Sequence, residues 1–214
     1  MLTLAIPVLN RYDLLKVCVE SALSGTKVPD RVIIIDNGSR CDIKPSNVIQ
    51  IVSPGFNSGV SASWNTAIKE GNFPLLIAND DMVFFEHTIS DFLQAYESNL
   101  GDFYWAAGVP QHNMFSCFML TDNLVKSIGV FDEVFYPGYF EDNDYFRRMI
   151  LADKKIVPVY TEISHFGSAT VKNFSNEQLM KHHRNFNKNK NYYVSKWGGL
   201  PGEETFDTPF GGVA

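Results

Sequence analysis

The 214-residue chain is long enough for one domain with a full hydrophobic core, and its 45% hydrophobic content excludes global disorder. Its formal net charge of −6 disfavours a general nucleic-acid binder. Its three cysteines are widely spaced and no apolar run reaches the roughly 20 residues of a membrane span, so we expect a cytoplasmic protein without a transmembrane segment or a nucleic-acid partner, at most peripheral to a membrane.

The first half of the chain alternates between predicted strands and predicted helices. Apolar, β-branched runs predict the strands and helical periodicity predicts the helices, with Asn10 and Ser61 as candidate N-caps. The predicted order is strand 2–8, helix 11–24, strands 32–35 and 48–52, helix 61–70 and strand 75–78. Such alternation favours parallel pairing in an α/β sandwich.

The second half of the chain is less regular. Its predicted elements are helix 88–98, strands 104–108 and 115–121, helices 122–128 and 142–152, strands 156–159 and 162–164, and a polar helix from Asn176 onward. The sequence contains no internal repeat and no segment with the composition of a linker. We therefore expect a single domain, 1–214.

Two polar motifs follow the early strands. Asp36 ends a strand and begins a turn, where its carboxylate can accept a hydrogen bond from an N–H of a pyrimidine ring. The segment Asn57-Ser58-Gly59 precedes a helix whose first backbone N–H groups can bind an anion. Taken alone, each motif is better explained by an ordinary turn or N-cap.

The acidic sequence Asn79-Asp80-Asp81 is the sharper signal. It directly follows the buried strand 75–78, and neighbouring carboxylates at a strand end repel each other unless a cation compensates them. Mg²⁺ and Mn²⁺ prefer such oxygen ligands and usually bind phosphate as well. The competing explanation is an Asx turn at the end of the strand.

A second acidic cluster, Glu141-Asp142-Asn143-Asp144, opens the helix 142–152. One acidic residue is enough to complement a helix dipole, so the surplus favours a general base, for which we choose Asp142. Asp144, Arg147 and Arg148 are expected to form structural ion pairs. His165 could complete a metal site, although a lone histidine is more often structural.

Taken in order, these motifs resemble the family 2 nucleotide-sugar glycosyltransferases of the GT-A fold. The resemblance extends from residue 2 to about residue 170 and implies a three-layer α/β/α sandwich with a mostly parallel central sheet. It departs from the family pattern where Asn79 replaces the first acid of an Asp-x-Asp motif. The matching stretches are Ile6–Asn10, Ile35–Ser39, Asn57–Gly59 with Asn65, Asn79–Asp81, Ile128–Glu133, Phe140–Asp144 and His165.

The resemblance implies a role for each matching residue. Asp142 would be the catalytic base, and Asp81 and His165 would bind Mn²⁺ or Mg²⁺. The remaining residues would bind the nucleotide-sugar donor: Pro7 and Asp36 at the nucleobase, Asn57 and Gly59 near the ribose and diphosphate, Asp80 at the ribose or donor sugar, and Asn10, Asn65 and Asn79 within the same motifs.

The implied reaction is metal-dependent, inverting transfer of a hexose or deoxyhexose to a hydroxyl of a glycan or glycoprotein acceptor. A UDP-sugar is preferred over a dTDP-sugar as donor. We expect a donor-binding half at 1–100, an acceptor and catalytic half at 101–170 and a C-terminal extension at 171–214, within a longer viral or bacterial glycan-building protein. The alternatives are a non-catalytic sugar-nucleotide or glycan binder, or a sugar nucleotidyltransferase; the latter is disfavoured because Asn10-Arg11-Tyr12-Asp13 stands where a Gly-rich loop would lie.

Overall fold

A computed structural model describes residues 1–167 and 175–212, without the side chains of residues 111 and 112. The strands are β1 Thr3–Val8, β2 Arg31–Asp36, β3 Ile49–Val52, β4 Leu75–Ala78, β5 Met82–Phe84, β6 Phe103–Ala106, β7 Cys117–Leu120, β8 Ile156–Val159 and β9 Ile163–His165. The helices are α1 Tyr12–Ala22, α2 Val60–Glu70, α3 Thr88–Glu97, α4 Asp122–Ile128, α5 Glu141–Leu151 and α6 Asn176–Trp197. Short 3-10 segments lie at Gln111–Ser116 and Pro209–Gly212.

The central sheet has seven strands in the order β3-β2-β1-β4-β7-β6-β8. Strands β3, β2, β1 and β4 are parallel, and β7 is antiparallel to both of its neighbours, β4 and β6. Because β4 and β6 therefore run in the same direction, the carboxyl ends of β1, β2, β4, β6 and β8 lie at one edge of the sheet. Ligands of open α/β sheets bind at this kind of edge.

Side-chain alternation along the strands produces two separate cores, one on each face of the sheet. On β1, Leu4 and Ile6 pack in the core that contains Leu15 of α1 and Phe92 of α3. The intervening Ala5 packs in the other core, together with helices α2, α4 and α5. The three-layer α/β/α sandwich predicted from the sequence is thus confirmed.

The two N-cap predictions are wrong, and one strand pair was not predicted. Helices α1 and α2 begin after Arg11 and Gly59, and neither Asn10 nor Ser61 is the N-cap residue. The two-stranded sheet formed by β5 and β9 was also not predicted as a pair. Strand β9 overlaps the predicted strand 162–164, whereas β5 has three residues, which is too short for alternation to distinguish a strand from a loop.

Helix α6, within the predicted C-terminal extension, packs tightly against the second half of the chain. Its Tyr193 and Trp197 form a third buried cluster with Phe135 and Phe140. The helix begins with a capping box between Ser175 and Gln178. No helix in the described ranges is both long and apolar enough to cross a membrane.

Candidate active site

The predicted nucleobase residues lie on two neighbouring strands. Val8 of β1 pairs with Asp36 of β2, so Pro7 and Asp36 approach the same edge of the sheet. Pro7 is partly buried, whereas Asn10 beyond the end of β1 is exposed. The Asn10 side chain does not cap α1 and is therefore accessible to a ligand.

Asp36 is buried and held by three hydrogen bonds. Its Oδ1 accepts from the Tyr12 hydroxyl at 2.6 Å and from the Gly38 N–H at 3.1 Å, and its Oδ2 accepts from the Cys41 N–H at 2.8 Å. Since a carboxylate offers about four lone-pair positions, the group can still accept one more N–H. Burial, followed by the bond to Asp36, raises the pKa of Tyr12 to about 12, so this tyrosine remains a donor.

The loop before α2 is fixed by a buried amide. Oδ1 of Asn37 accepts from the Ser58 N–H at 2.9 Å and from its hydroxyl at 2.7 Å, while Asn57 Oδ1 accepts from the Gly59 N–H at 3.0 Å. Gly59 has φ +88°, and a Cβ there would lie 2.9 Å from the Tyr136 ring. Glycine is therefore needed both for its backbone conformation and for close contact with Tyr136.

Asn65 of α2 holds a neighbouring segment in place. Its Nδ2 donates to the Phe131 carbonyl at 2.9 Å and to Glu133 at 2.8 Å, and its Oδ1 accepts from the Phe131 N–H at 2.8 Å. Because both amide N–H donors are engaged inside the protein, the geometry favours a supporting role. Direct contact between Asn65 and a donor stays a prediction.

Asp81 and His165 meet although 84 positions separate them in the sequence. His165 Nε2 lies 3.1 Å from Asp81 Oδ1, and both side chains are largely buried. The pairing of β5 with β9 sets Met82 opposite His165, and the Phe166 N–H donates to the Asp81 carbonyl at 3.1 Å. The small sheet missed by the sequence analysis is therefore what brings these two residues together.

The 3.1 Å separation of the pair is that of a hydrogen bond, and it is also compatible with two ligands of one ion. Adjacent ligands of an octahedral ion with bonds of about 2.1 Å are separated by about 3 Å, close to the observed Asp81–His165 distance of 3.1 Å. No group of three or more His, Cys, Asp or Glu residues that could hold a metal occurs in 1–167 or 175–212. Asp81 and His165 could thus supply two ligands, with phosphate and water supplying the others.

Asp80 and Asn79 complete the motif at the end of β4. Burial, together with the neighbouring Asp81 carboxylate, raises the pKa of Asp80 to about 7. The positive charge of Arg11 acts in the opposite direction on the same group. Asn79 is fixed through its backbone, since its N–H donates to the Ser116 carbonyl at 2.8 Å.

The predicted base lies at the start of α5. Asp142 accepts a 2.8 Å hydrogen bond from the Asn143 N–H, and burial raises its pKa. The adjacent Glu141 is only 5% exposed, and its Oε2 has no hydrogen-bond partner among the described residues. Burial, and then the proximity of Asp142, raise the pKa of Glu141 well above its usual value.

Asp144 has a structural role, as predicted. Its carboxylate binds Arg148 Nε at 3.0 Å, Lys196 Nζ at 2.7 Å and Trp197 Nε1 at 2.9 Å. Lys196 also contacts Asp132 at 2.7 Å. The structural ion pairs predicted for Asp144, Arg147 and Arg148 are confirmed: Asp144 pairs with Arg148, and Arg147 pairs with Asp207 at 3.1 Å. The link to α6 is an additional finding.

Residues 3–114 match the family model described as glycosyl transferase family 2. This is more than half of the chain. The chain belongs to glycosyl transferase family 2. Comparison with curated proteins gives no match.

Solved structures of Staphylococcus aureus TarS are similar to this family 2 domain in fold. A structure of TarS 1–349 has 15% identity, a TM-score of 0.58 and coverage of 75% of this chain and 58% of TarS 1–349. The same fragment in complex with UDP-GlcNAc has 16% identity, a TM-score of 0.58 and coverage of 78% of this chain and 61% of the TarS fragment. The chain covers 35% of a longer TarS structure, so it corresponds to only part of these proteins.

The family match ends before several residues of the candidate site. Asp142, His165 and the whole of α6 lie beyond residue 114, so their arrangement rests on the geometry described above. Sequence reasoning missed the supporting residues Tyr12 and Asn37. The only local signal for a role of Asn37 is its position beside Asp36 in a cluster of turn-forming residues.

Proposed function

We propose that this family 2 glycosyltransferase transfers a hexose or deoxyhexose from a UDP-sugar, in preference to a dTDP-sugar, to a hydroxyl of a glycan acceptor, with inversion at the anomeric carbon. The observation that carries the proposal is the meeting of Asp81 and His165 beside the end of β4, on the same sheet edge as Asp36. The solved complexes of TarS with UDP and with UDP-GlcNAc support a uridine donor by analogy of fold.

The donor would lie along the carboxyl ends of β1, β2 and β4. The free acceptor position on Asp36 suits the ring N–H of uracil, with Pro7 beside it. Asn57 and Gly59 would lie near the ribose and diphosphate, with Asp80 near the ribose or sugar. Asn10 and Asn79 remain candidates for further donor contacts at the same edge.

A divalent ion held by Asp81 and His165 would supply charge neutralisation for the leaving diphosphate. The protein's own contribution to the chemistry is proton transfer by Asp142. Its carboxylate takes the proton of the acceptor hydroxyl as that oxygen forms a bond to the anomeric carbon. The bond from this carbon to the diphosphate oxygen breaks, and UDP leaves with the bonding electrons. The raised pKa of Asp142 makes it a stronger base than an exposed aspartate.

The first experiment separates donor binding from turnover. Thermal stability is measured with UDP, UDP-glucose, UDP-galactose, UDP-GlcNAc and dTDP-glucose, each with Mn²⁺ or with EDTA. We expect a UDP-compound with Mn²⁺ to raise the melting temperature, because a ligand that binds only the folded state stabilises it. Equal melting temperatures in Mn²⁺ and EDTA would contradict the metal assignment.

The second experiment measures UDP release with a panel of short glycosides as acceptors, and the anomeric configuration of the product by NMR. We expect release in wild type, and a product of inverted configuration. We expect Asp142→Asn to release little UDP in the same assay. Asp122→Asn is the matched control, because Asp122 also lies in the first turn of a helix and pairs at the surface with Lys126. Donor binding without UDP release in the presence of any acceptor would favour a non-catalytic binder.

A further inference from the structure

The buried amide of Asn189 connects α6 to the segment that precedes Asp142. Asn189 is 1% exposed. Its Nδ2 donates to the Gly138 carbonyl at 2.7 Å and to the Tyr139 carbonyl at 3.3 Å. The amide therefore uses both of its N–H donors on the backbone three to four residues before the proposed base.

That segment has an unfavourable backbone conformation. Tyr139 and Phe140 are consecutive non-glycine residues with φ values of +76° and +73°. L-residues with bulky side chains rarely occupy this region, so the surrounding structure has to hold them there. Such backbone strain occurs preferentially at functional sites.

Helix α6 restrains the segment on both sides of Asp142. Before it, the Phe140 ring packs against Phe186 and Tyr193 of α6, with centroids 5.3 and 5.5 Å away. After it, Asp144 accepts the Trp197 N–H at 2.9 Å. Of these contacts, the Asn189 hydrogen bonds act most directly on the backbone that sets the direction of Asp142.

We infer that Asn189 is a positioning residue for the proposed catalytic base. It acts through the carbonyls of Gly138 and Tyr139, which fix the left-handed turn from which α5 begins. The inference rests on the proposed function only in the identity of the base. The restraint of residues 138–142 by α6 is a separate physical statement and can be measured without activity.

The test uses the whole chain with Asn189→Leu, which keeps the side-chain size but removes the amide. Asn189→Asp is a second variant, because it retains the shape and replaces the two N–H donors with an acceptor facing carbonyl oxygens. Asn187→Leu is the matched control, since Asn187 is exposed on the same helix. Far-UV circular dichroism confirms that each variant is folded.

Hydrogen exchange is the readout that does not depend on activity. We expect faster exchange in peptides that cover residues 136–144 in both Asn189 variants, and wild-type exchange in Asn187→Leu. Unchanged exchange in this segment in a folded Asn189→Asp protein would overturn the inference, whether or not the protein transfers sugar.

Kinetics then separates positioning from general damage. A misplaced base lowers kcat by roughly 10- to 100-fold, whereas donor KM stays near that of wild type because the donor residues lie on other elements. A rise in donor KM with unchanged kcat would contradict a positioning role. If wild type itself releases no UDP from any donor, the proposed function fails, and the exchange result still decides whether Asn189 restrains the segment.

Discussion

The donor side and the base side of the candidate site are built in different ways. On the donor side, most of the polar residues follow the ends of β1, β2 and β4, and the parallel sheet brings these to one edge, whereas His165 is added by the β5–β9 pair. On the base side, the segment before α5 depends on α6, whose contacting residues are about 50 positions away in the sequence. Strand order therefore determines one half of the site, and long-range side-chain contacts determine the other.

The largest expected effect separates these two halves most clearly. Asp142→Asn removes the proposed base without changing its size, so we expect kcat to fall by about 10²- to 10⁴-fold. UDP affinity should stay unchanged because the donor contacts lie on other elements. Single-turnover kinetics and calorimetric titration with UDP measure the two quantities. Turnover at the wild-type rate in Asp142→Asn would contradict the assignment of Asp142 as the base.

Lys196→Met tests whether the base side depends on α6 for its stability. Lys196 is buried and pairs with both Asp132 and Asp144. Its removal leaves Asp132 without a cation among the described residues, whereas Asp144 keeps Arg148, so the free energy of unfolding should fall by about 1.5–3 kcal/mol. Chemical denaturation measures the change, with the exposed Lys188→Met as control. Equal midpoints for the two variants would show that the ion network contributes little.

Asn65→Ala tests whether Asn65 supports the fold or binds the donor. Its motif is one of the predicted donor motifs, but its side chain contacts the backbone of Phe131. The substitution leaves the buried N–H and carbonyl of Phe131 without their partner. We expect a loss of about 1–3 kcal/mol in unfolding free energy and little change in UDP affinity. A large loss of UDP affinity at unchanged stability would instead assign Asn65 to the donor site.

The change in kcat with pH close to the pKa of Asp142 is the smallest expected effect. Burial raises the pKa of Asp142, and the base acts when deprotonated, so kcat should fall as pH decreases through this raised value. Below that pKa the expected loss is about tenfold per pH unit. The pKa of the neighbouring buried Glu141 is also raised, so Glu141 likewise becomes protonated as the pH decreases. A profile that stays flat down to the usual aspartate range near pH 4 would contradict base catalysis by Asp142.

The sequence predicted the strand ends because apolar runs that stop at Asp36 and at Asn79 are local signals. From the residues alone it indicated a metal at Asn79-Asp80-Asp81 with His165 as a further candidate ligand, and the family resemblance assigned Asp81 and His165 to the ion. The pairing of β5 with β9 that joins them was not predicted, because β5 has only three residues. Asn189 carried no signal because an Asn within a polar helix looks like any solvated residue. Its burial follows from packing against Gly138 and Tyr139, which sequence periodicity does not encode.

The position of α6 has a consequence for choosing fragments of this chain. A boundary drawn at residue 114, where the family match ends, would discard the proposed base, and one drawn at residue 167 would retain that base without Asn189 or Trp197. Grafting a new donor specificity onto the first hundred residues leaves these contacts intact. Exchanging the C-terminal helix for that of another transferase would require its amide and aromatic residues to be transferred together with it.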